Sequence, residues 1–173
     1  WCLNTVRVRG RKEQVDEFRK FVASDGSAFD LDKMLPTPSE MLETEECWYW
    51  RTTNWGTKWN VDPSDLRVEE KRGGVVYRFG TAWAPPVPIY LLLIERFPQL
   101  KISWRFDEPG VGLRGNFNTD TPYDLAREHG YGVVQLALVG ERVDPHDKDS
   151  LAALMRTLPP HVMSLLTQRQ GRN

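Results

Sequence analysis

LNTVRVRG, residues 3–10, alternates: Val6 and Val8 project to one side of an extended chain and Arg7 and Arg9 to the other, until Gly10 ends the run. A period of two with one apolar and one charged side is the pattern of a strand half buried in a sheet. From Arg11 the period lengthens. Val15, Phe18 and Val22, with Phe21 beside them, recur at helical spacing and stop at Asp25-Gly26, which predicts an amphipathic helix. Phe29 and Leu31 then alternate with Asp30 and Asp32 ahead of Pro36 and Pro38, and predict a second strand. The first third therefore reads β-α-β.

The same order returns downstream. Val75 to Thr81 alternates, Pro85, Pro86 and Pro88 introduce the apolar helix Ile89 to Phe97, and Leu100 to Phe106 alternates again. Two β-α-β units predict an α+β fold, a ferredoxin-like sandwich in which both helices cover one face of a four-stranded antiparallel sheet and the other face is left open. A tryptophan-rich segment and a hairpin, Leu66 to Lys71 against Val75 to Gly80 with its turn at Arg72-Gly73-Gly74, lie between the units, with the insertion at about residues 40–74. Residues 1–118 form this expected domain. Val111 to Asn118 would add a strand. The extension over 119–173, packed on the same unit, would contribute a strand at Val133 to Val139 and helices starting near Asp149 and Pro160.

At 173 residues the chain has the length of one domain, able to bury a core without disulfides. A formal charge of −1 removes any global polyanion-binding signature, so an electrostatic argument must rest on local distribution. Two cysteines, Cys2 and Cys47, favour a reducing, cytoplasmic setting. The apolar run Ile89 to Ile94 is too short for a bilayer, and no membrane association is expected. Trp1 carries no signal-like segment behind it, and the natural chain is expected to include residues ahead of it.

Several blocks carry a resemblance: Trp1-Cys2-Leu3-Asn4 before the first strand, Phe29-Asp30-Leu31 leading to Pro36-Thr37-Pro38, Asn54-Trp55-Gly56-Thr57-Lys58-Trp59, and Thr81-Ala82-Trp83-Ala84-Pro85-Pro86. Together, between Trp1 and about Phe117, they resemble the YubB-like family of plasmid- and phage-borne bacterial proteins. The resemblance implies a ferredoxin-like domain and a mobile-element setting. That family has no established activity, so it implies no catalytic residues.

The motifs of common chemistries fail on context. Gly110 to Gly115 spells G-x-G-x-x-G, but Leu113 to Phe117 alternates as a strand, whereas a dinucleotide loop must open a helix whose N–H groups meet the pyrophosphate. Gly56-Thr57-Lys58 lacks the order of a phosphate loop. Asp144 to Asp149 crowds possible metal ligands, yet Asp147 or Asp149 suits a helix cap better. His129 and His161 are isolated and no nucleophile elbow exists. No cofactor, metal or catalytic residue is expected.

Two features remain. Trp48, Tyr49, Trp50, Trp55, Trp59 and Trp83 are either a packed clasp or the wall of a ligand pocket, with Lys58 able to sit on the indoles or reach an anion. On the sheet, outward Arg7 and Arg9 would neighbour Lys101 and Arg105 on one side and Arg78 on the other, a basic stripe that needs acidic company. Asp30, Asp32, Glu69, Glu70 and Glu108 are candidates from within the chain. Arg72 to Phe79 loosely echoes an RNA-recognition motif, but Tyr77 and Phe79 share parity with Val75 and Trp104 with Ile102, so the rings belong to the helix-covered side and cannot stack bases there. The reading that follows is a non-catalytic interaction protein of a phage or plasmid, binding a macromolecular partner through the basic face or the tryptophans in an accessory, regulatory or counter-defence role. The alternatives are a site for a small anionic ligand such as a nucleotide, held by Lys58, Arg78 and Arg105, and nucleic-acid binding through phosphates.

Overall fold

A computed structural model describes residues 1–110 and 113–118. They form an α+β arrangement in which an antiparallel sheet has the order β2-β3-β1-β4-β5: β1 is Cys2–Arg9, β2 Arg67–Lys71, β3 Gly74–Thr81, β4 Lys101–Glu108 and β5 Leu113–Asn118. The helices are α1 (Lys12–Val22), α2 (Leu31–Met34), α3 (Glu46–Trp55) and α4 (Val87–Arg96), with a 3-10 turn at Ser39–Met41. The elements expected beyond residue 118 lie outside the described residues.

β1 is central, paired to β3 and β4. Val6 and Val8 are buried while Arg7 and Arg9 are exposed. Tyr77 and Phe79 on β3 and Ile102, Trp104 and Phe106 on β4 are buried on the same side. There α1 meets them through Phe18, whose ring centroid is 6.3 Å from that of Tyr77, and α4 through Tyr90, 6.1 Å from Trp104. Both principal helices thus cover one face, and each buried aromatic adds on the order of 3–5 kcal/mol relative to alanine.

One buried polar group sits within this greasy layer. Asn4 donates to the Cys2 carbonyl at 2.9 Å and to Thr81 Oγ1 at 2.8 Å, and accepts from Trp104 Nε1 at 3.0 Å. Thr81 Oγ1 in turn donates to the Ala84 carbonyl at 2.7 Å. A satisfied buried network of this kind fixes one arrangement of its neighbours, because any other leaves polar atoms unpaired. Here it holds the start of the loop after β3.

The second expected strand is a correction. Phe29 and Leu31 are buried as the alternation requires, but Asp30 accepts from the backbone N–H groups of Asp32 and Lys33 and caps the short helix α2. An aspartate preceding an apolar residue satisfies a helix start as well as a strand, and over so short a segment the cap prevails. The strand that follows α1 in the sheet is instead β2, so the hairpin supplies the edge strand β2 and its inner neighbour β3. Gly74 is needed at its inner end: a Cβ there would stand 2.1 Å from the Val8 carbonyl oxygen.

The tryptophan-rich segment is also helical. α3 carries Trp48, Trp50 and Trp55 and stops at Gly56, whose φ of 83° is the left-handed conformation that closes helices and that glycine adopts without strain. Of the Gly110 to Gly115 stretch, Leu113 to Gly115 lie in β5, antiparallel to β4, as the strand reading expects.

Candidate functional site

The face of the sheet opposite α1 and α4 collects charge. Register places Arg67, Arg78, Thr5, Arg105 and Asn116 in one row across the strands, Glu69, Val76, Arg7, Ser103 and Asn118 in the next, and Lys71, Gly74, Arg9 and Lys101 beyond it. On the other side of the arginine row stand Gly80, Leu3, Asp107 and Arg114. Among the described residues these rows hold eight basic side chains against two acidic ones, within a chain of net charge −1. Charge that is balanced over the whole molecule is therefore segregated onto one surface.

Leu3, Thr5, Arg7, Arg78, Arg105 and Asp107 border a depression of about 330 Å³ at the middle of this face. Arg78 Nη1 bonds Glu69 Oε2 at 3.1 Å, and Glu69 also bonds Lys71. These contacts, Lys71 first and Arg78 second, hold the Glu69 carboxyl below its usual range. Arg114 pairs with Asp107 at 3.6 Å. Arg7, Arg9, Lys101 and Arg105 take no carboxylate among the described residues. Of the acidic groups proposed from the sequence as company for the stripe, Glu69 alone lies on this face. Glu70 points to the helices and bonds Arg19 at 2.8 Å, Glu108 is buried on the opposite side, and Asp30 and Asp32 serve the loop after α1.

The tryptophans divide into two groups. Trp55 is fully buried, donates Nε1–H to the Leu35 carbonyl at 2.8 Å and lies under the Arg51 guanidinium at 4.8 Å. Thr57 Oγ1 accepts from Ala82 N–H at 3.0 Å. Asn60 Oδ1 accepts from Leu31 N–H at 2.9 Å, and its Nδ2 donates to Asp30 Oδ1 at 2.7 Å. Burial pushes the Asp30 carboxyl up, but hydrogen bonds from Asn60, Ser24 and the backbone of Lys33 and Asp32 outweigh it and leave it below the ordinary aspartate value. Trp55, Thr57 and Asn60 thus fasten this segment to the fold, whereas Trp59 and Trp83, which the sequence reading groups with Trp55 as a packed clasp, stand at the surface.

Lys58, Trp59 and Trp83 belong to the surface. The Lys58 ammonium is 3.8 Å from the ring centroid of Trp48, 5.3 Å from Trp59 and 5.8 Å from Trp83, within cation–π range of all three. Trp1, Trp48, Trp59 and Trp83 are 66%, 46%, 38% and 59% exposed, which separates them from core indoles. Trp1, Arg67, Lys71 and Arg114 join the candidate surface although the sequence reading does not single them out. For Arg67 and Lys71 the signal is present: they flank Glu69 at a period of two, the mark of one strand face. Trp1 carries no comparable signal, since only the fold brings its ring to 5.9 Å from Trp59.

Cys2 is buried, and burial pushes its thiol up to about 12, far from the thiolate a nucleophile needs. Among the described residues no group of three or more histidines, cysteines or carboxylates could hold a metal, and no helix is long and apolar enough to cross a membrane. Comparison with family models, with curated proteins and with solved structures returns no match.

Proposed function

We propose that the protein is a non-catalytic binding protein whose sheet face opposite the helices takes a polyanionic macromolecular partner. The observation that carries this reading is the row of Arg78, Thr5 and Arg105 with Arg7 beside it, bordering one depression: among the described residues Glu69 pairs with Arg78, Asp107 at the rim pairs with Arg114, and Arg7 and Arg105 pair with no carboxylate. Like charges on adjacent strands destabilise a sheet unless something negative lies over them. The depression lies in line with the rows of charge that cross neighbouring strands, and an extended partner can follow those rows. A small anion such as a nucleotide, the alternative raised by Lys58, Arg78 and Arg105, would have to bridge two separate groups: Lys58 stands among the tryptophans and the two arginines over the sheet.

The order of elements through Glu108, with β1 between β3 and β4 and both main helices on one side, supports a ferredoxin-like sandwich. The blocks that resemble the YubB-like family then suggest an accessory, regulatory or counter-defence role in a phage or plasmid, exercised in the host cytoplasm.

The test is binding of the full chain to inorganic polyphosphate across a salt series. Affinity should fall steeply with salt, with a log–log slope of magnitude about 2 for three arginine–phosphate contacts. Replacing Arg7 and Arg105 by alanine should lower affinity and flatten that slope. Binding that ignores salt, or that survives the double replacement unchanged, would rule the face out as the site.

A further inference from the structure

A ladder of exposed indoles runs onto the basic face. Trp83 and Trp59 have ring centroids 5.7 Å apart at 48°, and Trp59 and Trp1 5.9 Å apart at 38°. The Trp1 ring stands by Gly80, its Cε3 3.6 Å from where a Cβ would be, an ordinary contact distance, with Asp65 Oδ2 nearer at 3.0 Å. Gly80 pairs with Leu3, and Leu3 borders the depression lined by Arg7, Arg78 and Arg105. The Trp1 end of the ladder therefore adjoins the arginine-lined depression, with the Asp65 carboxylate, which accepts from Gly80 N–H at 2.8 Å, at the junction.

The ladder is built rather than incidental. Trp83 has a φ of 61°, a left-handed conformation that a bulky residue adopts only when its surroundings impose it. The imposing contacts are visible: Ala84 N–H closes a tight turn on the Ala82 carbonyl at 2.8 Å, Thr57 holds Ala82, and Thr81 holds Ala84. Hydrogen bonds on both sides thus maintain a strained backbone that presents an indole to solvent. Lys58 adds a cation fixed among Trp48, Trp59 and Trp83.

We infer that this surface binds single-stranded nucleic acid, with phosphates on the arginine-bearing sheet and bases against the Trp1–Trp59–Trp83 ladder. The inference rests on the polyanion reading above and names its occupant. Flat aromatic faces beside a cationic track are what an unpaired strand requires, since each base offers a ring to stack and each linkage a charge to neutralise. A duplex keeps its base faces inside the helix. An acidic protein surface would satisfy the arginines but brings no succession of planar rings for the indoles. Stacking takes place beside the sheet and not on it, which agrees with Tyr77, Phe79 and Trp104 being buried under the helices.

The full chain is titrated with an oligothymidylate of about 15 nucleotides, an abasic strand of the same length, the corresponding duplex, and polyglutamate, read by anisotropy and indole fluorescence. The oligothymidylate should bind about tenfold more tightly than the abasic strand or the duplex and quench indole emission. Trp59→Ala and Trp83→Ala should each erode that preference by about tenfold, and Trp59→Phe should restore most of it. If thymidylate and abasic strands bind equally, the stacking inference is overturned while the polyanion reading stands. Tighter binding of polyglutamate would name an acidic protein as the occupant and also overturn it. If no polyanion binds, both readings fall together.

Discussion

Trp55 and Trp59 stand four residues apart on one short segment and belong to different worlds. The region around Trp55 faces inward: its indole N–H reaches the Leu35 carbonyl, Thr57 bonds Ala82, and Asn60 bonds Leu31 and Asp30. The region around Trp59 faces outward, its ring next to Trp1 and Trp83 and within reach of the Lys58 ammonium. Inward residues spend their polar atoms on the protein's own backbone. Outward ones stay partly exposed and meet one another and the Lys58 ammonium instead. A tryptophan-rich stretch is thus neither a clasp nor a pocket as a whole. Gly56 at the end of α3 turns the chain between the two roles.

The sharpest way to break this contrast is truncation of the two indoles. Trp55→Ala should destabilise the fold by about 3–5 kcal/mol, through lost packing and a buried carbonyl left without its donor. Urea unfolding measures it, and a loss near that of an ordinary surface change would remove the clasp. Asn4→Leu, which orphans Trp104 Nε1 and frees Thr81 and the Ala84 loop, should come next at about 2–3 kcal/mol. If the anchored region depends on that network, Trp83 fluorescence should also shift in this variant.

Asp30→Asn should weaken the α2 cap and the tie to Asn60 by about 1 kcal/mol at about pH 7. The sign of its pH dependence follows from the lowered carboxyl. Asp30 contributes stability above the ordinary aspartate value near 3.9, and the contribution is lost as pH falls through the lower folded value. The gap between wild type and variant should therefore close on acidification to about pH 3, and a gap that widens there contradicts the assigned hydrogen bonds. Trp59→Ala should cost only about 0.5 kcal/mol. Smallest of all, Glu69→Gln should hardly change stability but should tighten polyanion binding by releasing Arg78, a change read in the same titration as the arginine variants.

Much of the fold was legible because strand parity is local. Val6 with Val8 against Arg7 with Arg9 announces which side of β1 is covered, and the same holds for Tyr77 and Phe79 against Arg78 and for Trp104 against Arg105. The arginine row of the candidate surface could therefore be read off before any coordinates. Phe29 and Leu31 misled because their burial fits a strand and a capped helix equally well, and only the Asp30 hydrogen bonds decide between them. Glu108 misled because an acidic residue at the end of a strand gives no sign that it will be buried.

The amino-acid order alone thus settled the period of each strand and the face on which its charges stand, since these depend on the geometry of neighbouring residues in one extended segment. Tertiary structure decided which carboxylates reach those charges and which indoles meet one another. Trp1, Trp59 and Trp83 are far apart along the chain, and their adjacency is a product of β1 pairing with β3 and of Thr57 docking on Ala82. No pattern confined to one segment can encode contacts that exist only after distant segments have been brought together by a shared core.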